Sequence, residues 1–250
     1  MAKLFCTEAS WRIADDSVQL RGGRGYETAD SLKARGEEPI AVERMMRDCR
    51  INTIFEGSSE IMRLFIAREM LDPHLKVSGA VLDSRKPIGE RIKAALKAGL
   101  FYAGWYPRQW LPIGSGVPAG VPGKLAKHLR YASKTSRRLA RRLFHAMAVN
   151  GPKLEREQVL LGRFVEIGAE LFAIAATCSR AASIAKTAAP GEREEVLQLA
   201  DYFCASAKLR IERNFDGLKH NTDHSGYKVA QTVLKSSVKS LEEGIVRDTV

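Results

Sequence analysis

The sequence predicts an all-α protein, because a helical period dominates its length and no convincing alternating strand interrupts it. Apolar stripes recur in segments long enough for several helices, and these are separated by Gly and Pro punctuation. Of the 250 residues, 45% are hydrophobic and 28% charged, the balance of a globular chain rather than a disordered one. No apolar run approaches the roughly 20 residues that a membrane span requires. The segment Met1-Ala2-Lys3-Leu4-Phe5-Cys6-Thr7-Glu8 places an acid where a secretory signal keeps its apolar stretch, so none is expected. Cys6, Cys49, Cys178 and Cys204 lie far apart with no C-x-x-C spacing, and reduced, mostly buried thiols in a cytoplasmic protein are the expectation.

Taken in order, residues 1–20 read as a helix with Leu4, Trp11, Ala14 and Val18 along one side, ended by Gly22, Gly23 and Gly25. A polar stretch from Glu27 to Glu38 reads as a surface loop. Pro39 then announces a helix over roughly 40–53. Glu56-Gly57 breaks it, and a further helix runs from about Ser58 to Leu71, stopped by Asp72-Pro73. Residues 77–90 read as a linker, 88–100 as a short helix and 101–123 as an irregular connection rich in aromatic residues and proline. Four amphipathic helices complete the chain. They comprise a basic one at 124–148, one with a seam from Leu161 through Phe164, Gly168, Leu171, Ala175, Cys178 and Ala182 to Ala185, one at 192–216, and a last one. That last helix carries Ala230, Leu234, Val238, Leu241 and Ile245 on one face. Such faces must pack into a bundle to be buried, and the small residues in the seam permit close approach.

Charge divides the chain in the same place. It has 40 Lys and Arg against 29 Asp and Glu, a net of +11. Residues 1–76 hold 12 and 13 of these, so residues 77–250 hold 28 and 16, and all the basic excess lies in the second part. Two domains are therefore expected, 1–76 and 77–250.

Three segments of the first part fall in a telling order. Gln19-x-x-Gly22-Gly23-x-Gly25-Tyr26 comes first. It is no dinucleotide fingerprint, because it closes a helix instead of following a strand and lacks the G-x-G-x-x-G spacing. Val42-Glu43-Arg44-Met45-Met46-Arg47-Asp48-Cys49-Arg50-Ile51 follows. Directly after it stands Ile54-Phe55-Glu56-Gly57-Ser58-Ser59-Glu60-Ile61-Met62-Arg63. Together, over roughly residues 1–75, they resemble the C-terminal helices of the acyl-CoA dehydrogenase family.

The resemblance implies a catalytic base at Glu56, which removes the α-proton of an acyl-CoA thioester while a hydride passes from the β-carbon to FAD. A site filled with acyl chain would desolvate such a carboxylate and strengthen it as a base. A flanking glycine lets the backbone approach the thioester, where an N–H can polarise its carbonyl. The resemblance further places flavin contacts at Ser58, where threonine is more usual, and at Glu60. Gln19, Gly22 and Gly23 match the turn that touches the adenosine-diphosphate part of FAD in the neighbouring subunit, so a homo-oligomer is implied. Read without the motif, Glu56 is a solvated helix-start glutamate, and Ser58 and Glu60 are capping residues. Arg44, Arg47 and Asp48 read as ion-pair partners. The domains that should precede such helices and cover the flavin are not in these 250 residues, so this part alone is expected to be inactive. No metal site is expected, since His220-Asn221-Thr222-Asp223-His224 reads as a surface loop.

A helical extension after these helices resembles the very-long-chain branch of the family, where the added domain is associated with peripheral membrane attachment. The residues that fit are Lys124, Lys127, Arg130, Lys134, Arg138 and Arg141, which form one stripe, with Arg137 and Arg142 beside it. No acid interrupts 124–142. Leu125, Leu129, Ala132, Leu139 and Leu143 form the opposite face. A stripe like this suits anionic lipid headgroups, a solvated or internally paired face, or, least well, a nucleic acid. The Trp and Tyr residues of 102–110 favour lipid, with core packing as the plain alternative. The function implied is oxidation of long fatty acyl-CoA to trans-2-enoyl-CoA. The competing reading is a non-catalytic helical module that binds a membrane surface or a partner protein.

Overall fold

The computed structural model describes residues 1–83, 85–112, 116–235 and 243. Among them every regular element is helical: α1 (Ala2–Arg21), α2 (Gly23–Tyr26), α3 (Ala29–Ala34), α4 (Val42–Ile51), α5 (Ser59–Leu82), α6 (Ile88–Arg108), α7 (Gly123–Asn150), α8 (Gln158–Ile184), α9 (Pro190–Gly217) and α10 (Asp223–Leu234). A 3-10 turn, Gly151–Arg156, joins α7 to α8. No helix among the described residues is long and apolar enough to cross a membrane.

The helix α8 lies at the centre because it is apolar nearly all round. One side carries Phe164, Ile167, Leu171, Ile174 and Cys178, which meet Leu125, Leu139 and Leu143 of α7 and Cys204, Ala207, Ile211 and Phe215 of α9. Leu161 and Val165 turn the other way, into a second core with Leu4 of α1 and Ile66 and Ala67 of α5. The predicted seam is thus buried, except at Ala175, which is exposed. Ion pairs brace the same contacts. Glu170, itself buried, takes a bidentate pair from Arg210 of α9. Arg63 of α5 reaches Glu166 of α8 at 2.7 Å and Glu8 of α1 at 3.5 Å.

Several boundaries differ from the sequence expectation. The stretch Glu27–Glu38 holds the short helix α3, capped by Thr28, whose hydroxyl accepts from the Ser31 N–H. Pro73 does not stop α5, which runs on through residue 76 to Leu82 with the proline inside it. The lost backbone hydrogen bond is outweighed by packing of the next residue: His74 is buried, donates or accepts at Tyr102 Oη over 3.1 Å, stacks on Tyr102 and meets Trp105 edge to face. Burial holds its imidazole below the ordinary histidine value. The aromatic segment is irregular only in its second part, since α6 takes in residues 101–108 and the described residues 109–112 and 116–122 form no helix. Tyr102, Trp105 and Tyr106 belong to α6 and pack around Phe144 of α7, so core packing accounts for them. Val238, Leu241 and Ile245 lie outside the described residues.

The polar loop after α9 holds no metal cluster among the described residues. His220 pairs with Asp216, and Asp223, at the start of α10, is gripped by Arg163 of α8 at 2.7 Å. The Arg163 guanidinium holds the Asp223 carboxyl below its ordinary value of 3.8. A depressed folded value means that this pair stabilises fully above the unfolded value and is lost as pH falls through the folded one. Asp223→Asn should therefore cost about 1–2 kcal/mol at pH 7. It should also flatten the acid limb below pH 4 of the stability curve, measured by thermal unfolding across pH with hydrogen exchange read on α10.

Candidate functional site

The turn between α4 and α5 is where the three predicted residues Glu56, Ser58 and Glu60 come together. It is closed from within by Thr53, which is buried. The Thr53 hydroxyl donates to the Arg50 carbonyl at 2.9 Å, and the Thr53 carbonyl accepts from the Ser59 N–H at 3.0 Å. Arg50 in turn lies 5.1 Å over the Trp11 ring of α1.

Two left-handed residues then reverse the chain. Glu56 has φ +51, the one positive φ outside glycine among the described residues, and Gly57 has φ +93. A side chain at such a φ costs roughly 1–2 kcal/mol, so Glu56 is held there by its surroundings. The holder is Lys3 of α1, whose Nζ donates to the carbonyls on either side, 2.9 Å to Phe55 and 2.6 Å to Gly57. Glu56 itself is exposed.

Ser58 is the N-cap of α5. Its Oγ accepts from the Ile61 N–H at 3.4 Å, as its type at that position favours. Glu60 lies in the first turn. Its own N–H and then the Ser58 hydroxyl hold its carboxyl below the ordinary glutamate range. The neighbouring Ser59 is buried with an Oγ that has no hydrogen-bond partner. This part of the chain therefore offers a hydroxyl, an unpartnered buried hydroxyl and a helix N-terminus beside the two carboxylates of Glu56 and Glu60. That donor set fits a polar, electron-accepting ring such as a flavin.

Gln19, Gly22 and Gly23 are not part of this cluster. They stand at the far end of α1, 16 residues along the helix from Lys3, or about 24 Å at the helical rise. The Gln19 carbonyl accepts from the Gly22 N–H at 3.1 Å, and both glycines are exposed. The chain folds back tightly there, since a Cβ on Gly25 would stand 2.5 Å from the Val18 carbonyl oxygen. Sequence reasoning found both ends of α1 but missed Lys3, because nothing local marks a contact made 52 and 54 residues away.

The basic stripe on α7 divides in two. Lys124, Lys127, Arg130 and Lys134 are exposed. Arg138 is paired with Glu212 of α9 at 2.7 Å and lies 3.8 Å over the Phe215 ring. Arg141 bonds the Gln109 carbonyl and covers Trp110 at 4.0 Å, and Arg137 donates to Ser133. The expected core face holds, with Leu125, Leu139 and Leu143 buried and Leu129 and Ala132 packed against them. The helix α6 supplies what the sequence reading overlooked. Ile88, Ile92, Leu96 and Leu100, spaced by four, are 57–78% exposed, with exposed Lys93 and Lys97 beside them.

Residues 1–71 match the family described as acyl-CoA dehydrogenase, C-terminal domain, and residues 124–242 match the ACAD9/ACADV C-terminal domain. The chain is 48% identical over 249 residues to the probable acyl-CoA dehydrogenase FadE10 of Mycobacterium bovis, covering 98% of this chain and 38% of that protein. It is 30% identical over 229 residues to the mitochondrial very long-chain specific acyl-CoA dehydrogenase of Mus musculus, covering 90% of this chain and 32% of that one. An acyl-CoA dehydrogenase from Bacillus anthracis, solved in complex with FAD, superposes with a TM-score of 0.58 at 25% identity over 85% of this chain and 31% of that chain. The chain thus spans about a third of the length of these relatives.

Gly57→Ala tests the turn. A Cβ there would meet the Met62 sulfur at 3.0 Å and would sit at φ +93. The variant should lose about 1–2 kcal/mol in urea unfolding, whereas alanine at exposed Gly23, with nothing within 4 Å of its Cβ, should not.

Proposed function

Because the chain belongs to the acyl-CoA dehydrogenase family, in the very-long-chain-like branch with an added helical domain, we propose that it is the C-terminal part of a flavoenzyme oxidising long fatty acyl-CoA to trans-2-enoyl-CoA. The observation that carries this reading is Glu56, an exposed carboxylate on a left-handed bend beside a hydroxyl-capped helix. Its carboxylate takes the proton from the substrate α-carbon, and that C–H electron pair becomes the new double bond. A bound FAD would supply the acceptor for the hydride that leaves the β-carbon. Ser58 and Glu60 would border the flavin, with Ser59 behind them. Gly57 keeps the backbone beside the thioester free of a side chain. Gln19, Gly22 and Gly23 serve the adenosine-diphosphate part of a neighbouring subunit's FAD. Gln19 lies about 24 Å along α1 from Lys3, at the opposite end of the helix from the Glu56 turn, an arrangement that fits a homo-oligomer in which each subunit completes another's cofactor site.

In the longer enzyme, Glu56→Gln should remove turnover by about a hundredfold or more while FAD and acyl-CoA still bind, since an amide keeps the shape and cannot accept the α-proton. Retention of more than about a tenth of the rate would move the base elsewhere. The polypeptide of residues 1–250 serves as the control. It should be colourless and should not couple palmitoyl-CoA oxidation to a dye.

A second reading concerns the added domain, for which we propose contact with an anionic membrane surface. The exposed aliphatic row on α6, flanked by Lys93 and Lys97, is the observation that favours it, together with the four exposed cations Lys124, Lys127, Arg130 and Lys134. Each such cation near an anionic surface contributes about 1 kcal/mol, screened over roughly 10 Å at 0.1 M salt. Sedimentation with anionic vesicles should therefore be strong at low salt and fade at high salt. It should fall when those four residues become Glu or when Ile92, Leu96 and Leu100 become Ser. Variants that sediment as the parent does would end the membrane reading.

A further inference from the structure

Lys3 is drawn into no motif, yet it makes the contacts that shape the turn around Glu56. Its ammonium bridges the Phe55 and Gly57 carbonyls, the two that flank Glu56 in the chain. Those carbonyls belong to a reversal in which two successive residues are left-handed and the first bears a side chain. Left to itself, such a residue relaxes into the common φ < 0 regions and takes its carboxylate with it. A cation bonded to both carbonyls ties the 55–56 peptide plane to the 57–58 plane, and so restrains the combined rotation through Glu56 and Gly57 that sets where the Glu56 Cβ points.

The clamp is itself anchored. Leu4, next in the chain, is 2% exposed in the core shared by α1, α5 and α8. The Thr7 hydroxyl donates to the Lys3 carbonyl at 2.9 Å. On the other side of the turn, Arg63 ties α5 to Glu8 of α1. The turn is therefore held between two points of α1, one at Lys3 and one at Glu8. No ion pair joins Lys3 to the Glu56 carboxylate among the described residues, so the ammonium does not compete with a substrate proton for the carboxylate oxygens.

We propose that Lys3 is a positioning residue for the general base: by clamping the Phe55 and Gly57 carbonyls it holds Glu56 in the left-handed conformation that presents its carboxylate to the acyl-CoA α-carbon. The inference rests on Glu56 being the base. It assigns to α1, a helix otherwise marked only by its terminal glycine turn, a direct part in the geometry of the reaction.

The test uses the longer flavoenzyme with Lys3→Met, which keeps length and loses the donors, and Lys3→Arg, whose guanidinium can reach two carbonyls. Anaerobic rapid mixing with acyl-CoA reads flavin reduction as a rate constant and an amplitude. Lys3→Met should lower the rate constant about ten- to a hundredfold at full amplitude and unchanged flavin content. Lys3→Arg should recover most of the loss. Hydrogen exchange of the 52–60 segment in the same enzyme should quicken in Lys3→Met. An unchanged rate constant, or a reduced amplitude that tracks lost flavin at an unchanged rate constant, would overturn the proposal. Glu56→Gln is run beside it. If that variant turns over, the base assignment and the clamp fall together. If it is dead while Lys3→Met is fully active, only the clamp falls.

Discussion

The structure depends on α8 carrying two apolar faces, so that over its second half only a strip through Phe172, Ala176, Ser179 and Ser183 meets water. A helix with Phe164, Ile167 and Ile174 on one side and Leu161 and Val165 on the other must be covered twice. Each large aliphatic or aromatic side chain removed from water contributes roughly 1.5–3 kcal/mol. α7 and α9 cover one side, and α1 with α5 covers the other. The two parts that composition and family matching separate are thus built on one shared helix. The pairs Arg63–Glu166 and Arg210–Glu170 fix the rotation of that helix toward each neighbour.

The candidate site inherits its shape from this arrangement. Val165 helps to bury Leu4, and Leu4 fixes the first turn of α1. That turn carries Lys3, and Lys3 holds the carbonyls around Glu56. An exposed and conformationally costly residue is kept in place by a chain of contacts that ends in the core. Gly57 and the Ser58 cap finish the turn locally, as residues of those types do wherever a chain reverses into a helix.

Much of this was legible in the order of residues. Apolar spacing located α7, α8 and α9 and most of the α8 seam, and the motif spacing put Glu56, Ser58 and Glu60 on one turn. Proline was the misleading signal. Pro73 and Pro107 both sit inside helices, because aromatic packing of His74, Tyr102 and Trp105 against Phe144 outweighs the local penalty. Periodicity also treated the α7 cations as one stripe. It could not show that Arg138 meets Glu212, 74 positions later, while Lys124 stays exposed. Lys3 escaped for the same reason, since its partners are distant in the chain and are backbone atoms with no residue type to mark them.

The shared helix also has a consequence for heredity. A lesion that loosens α8 where it meets α7 or α9 lies in what looks like an accessory module, yet the disturbance has a short route to Leu4. Inherited substitutions scored by the stability of the fold would then scatter across the border between the two regions instead of respecting it, and a map of harmful positions would trace the walls of α8.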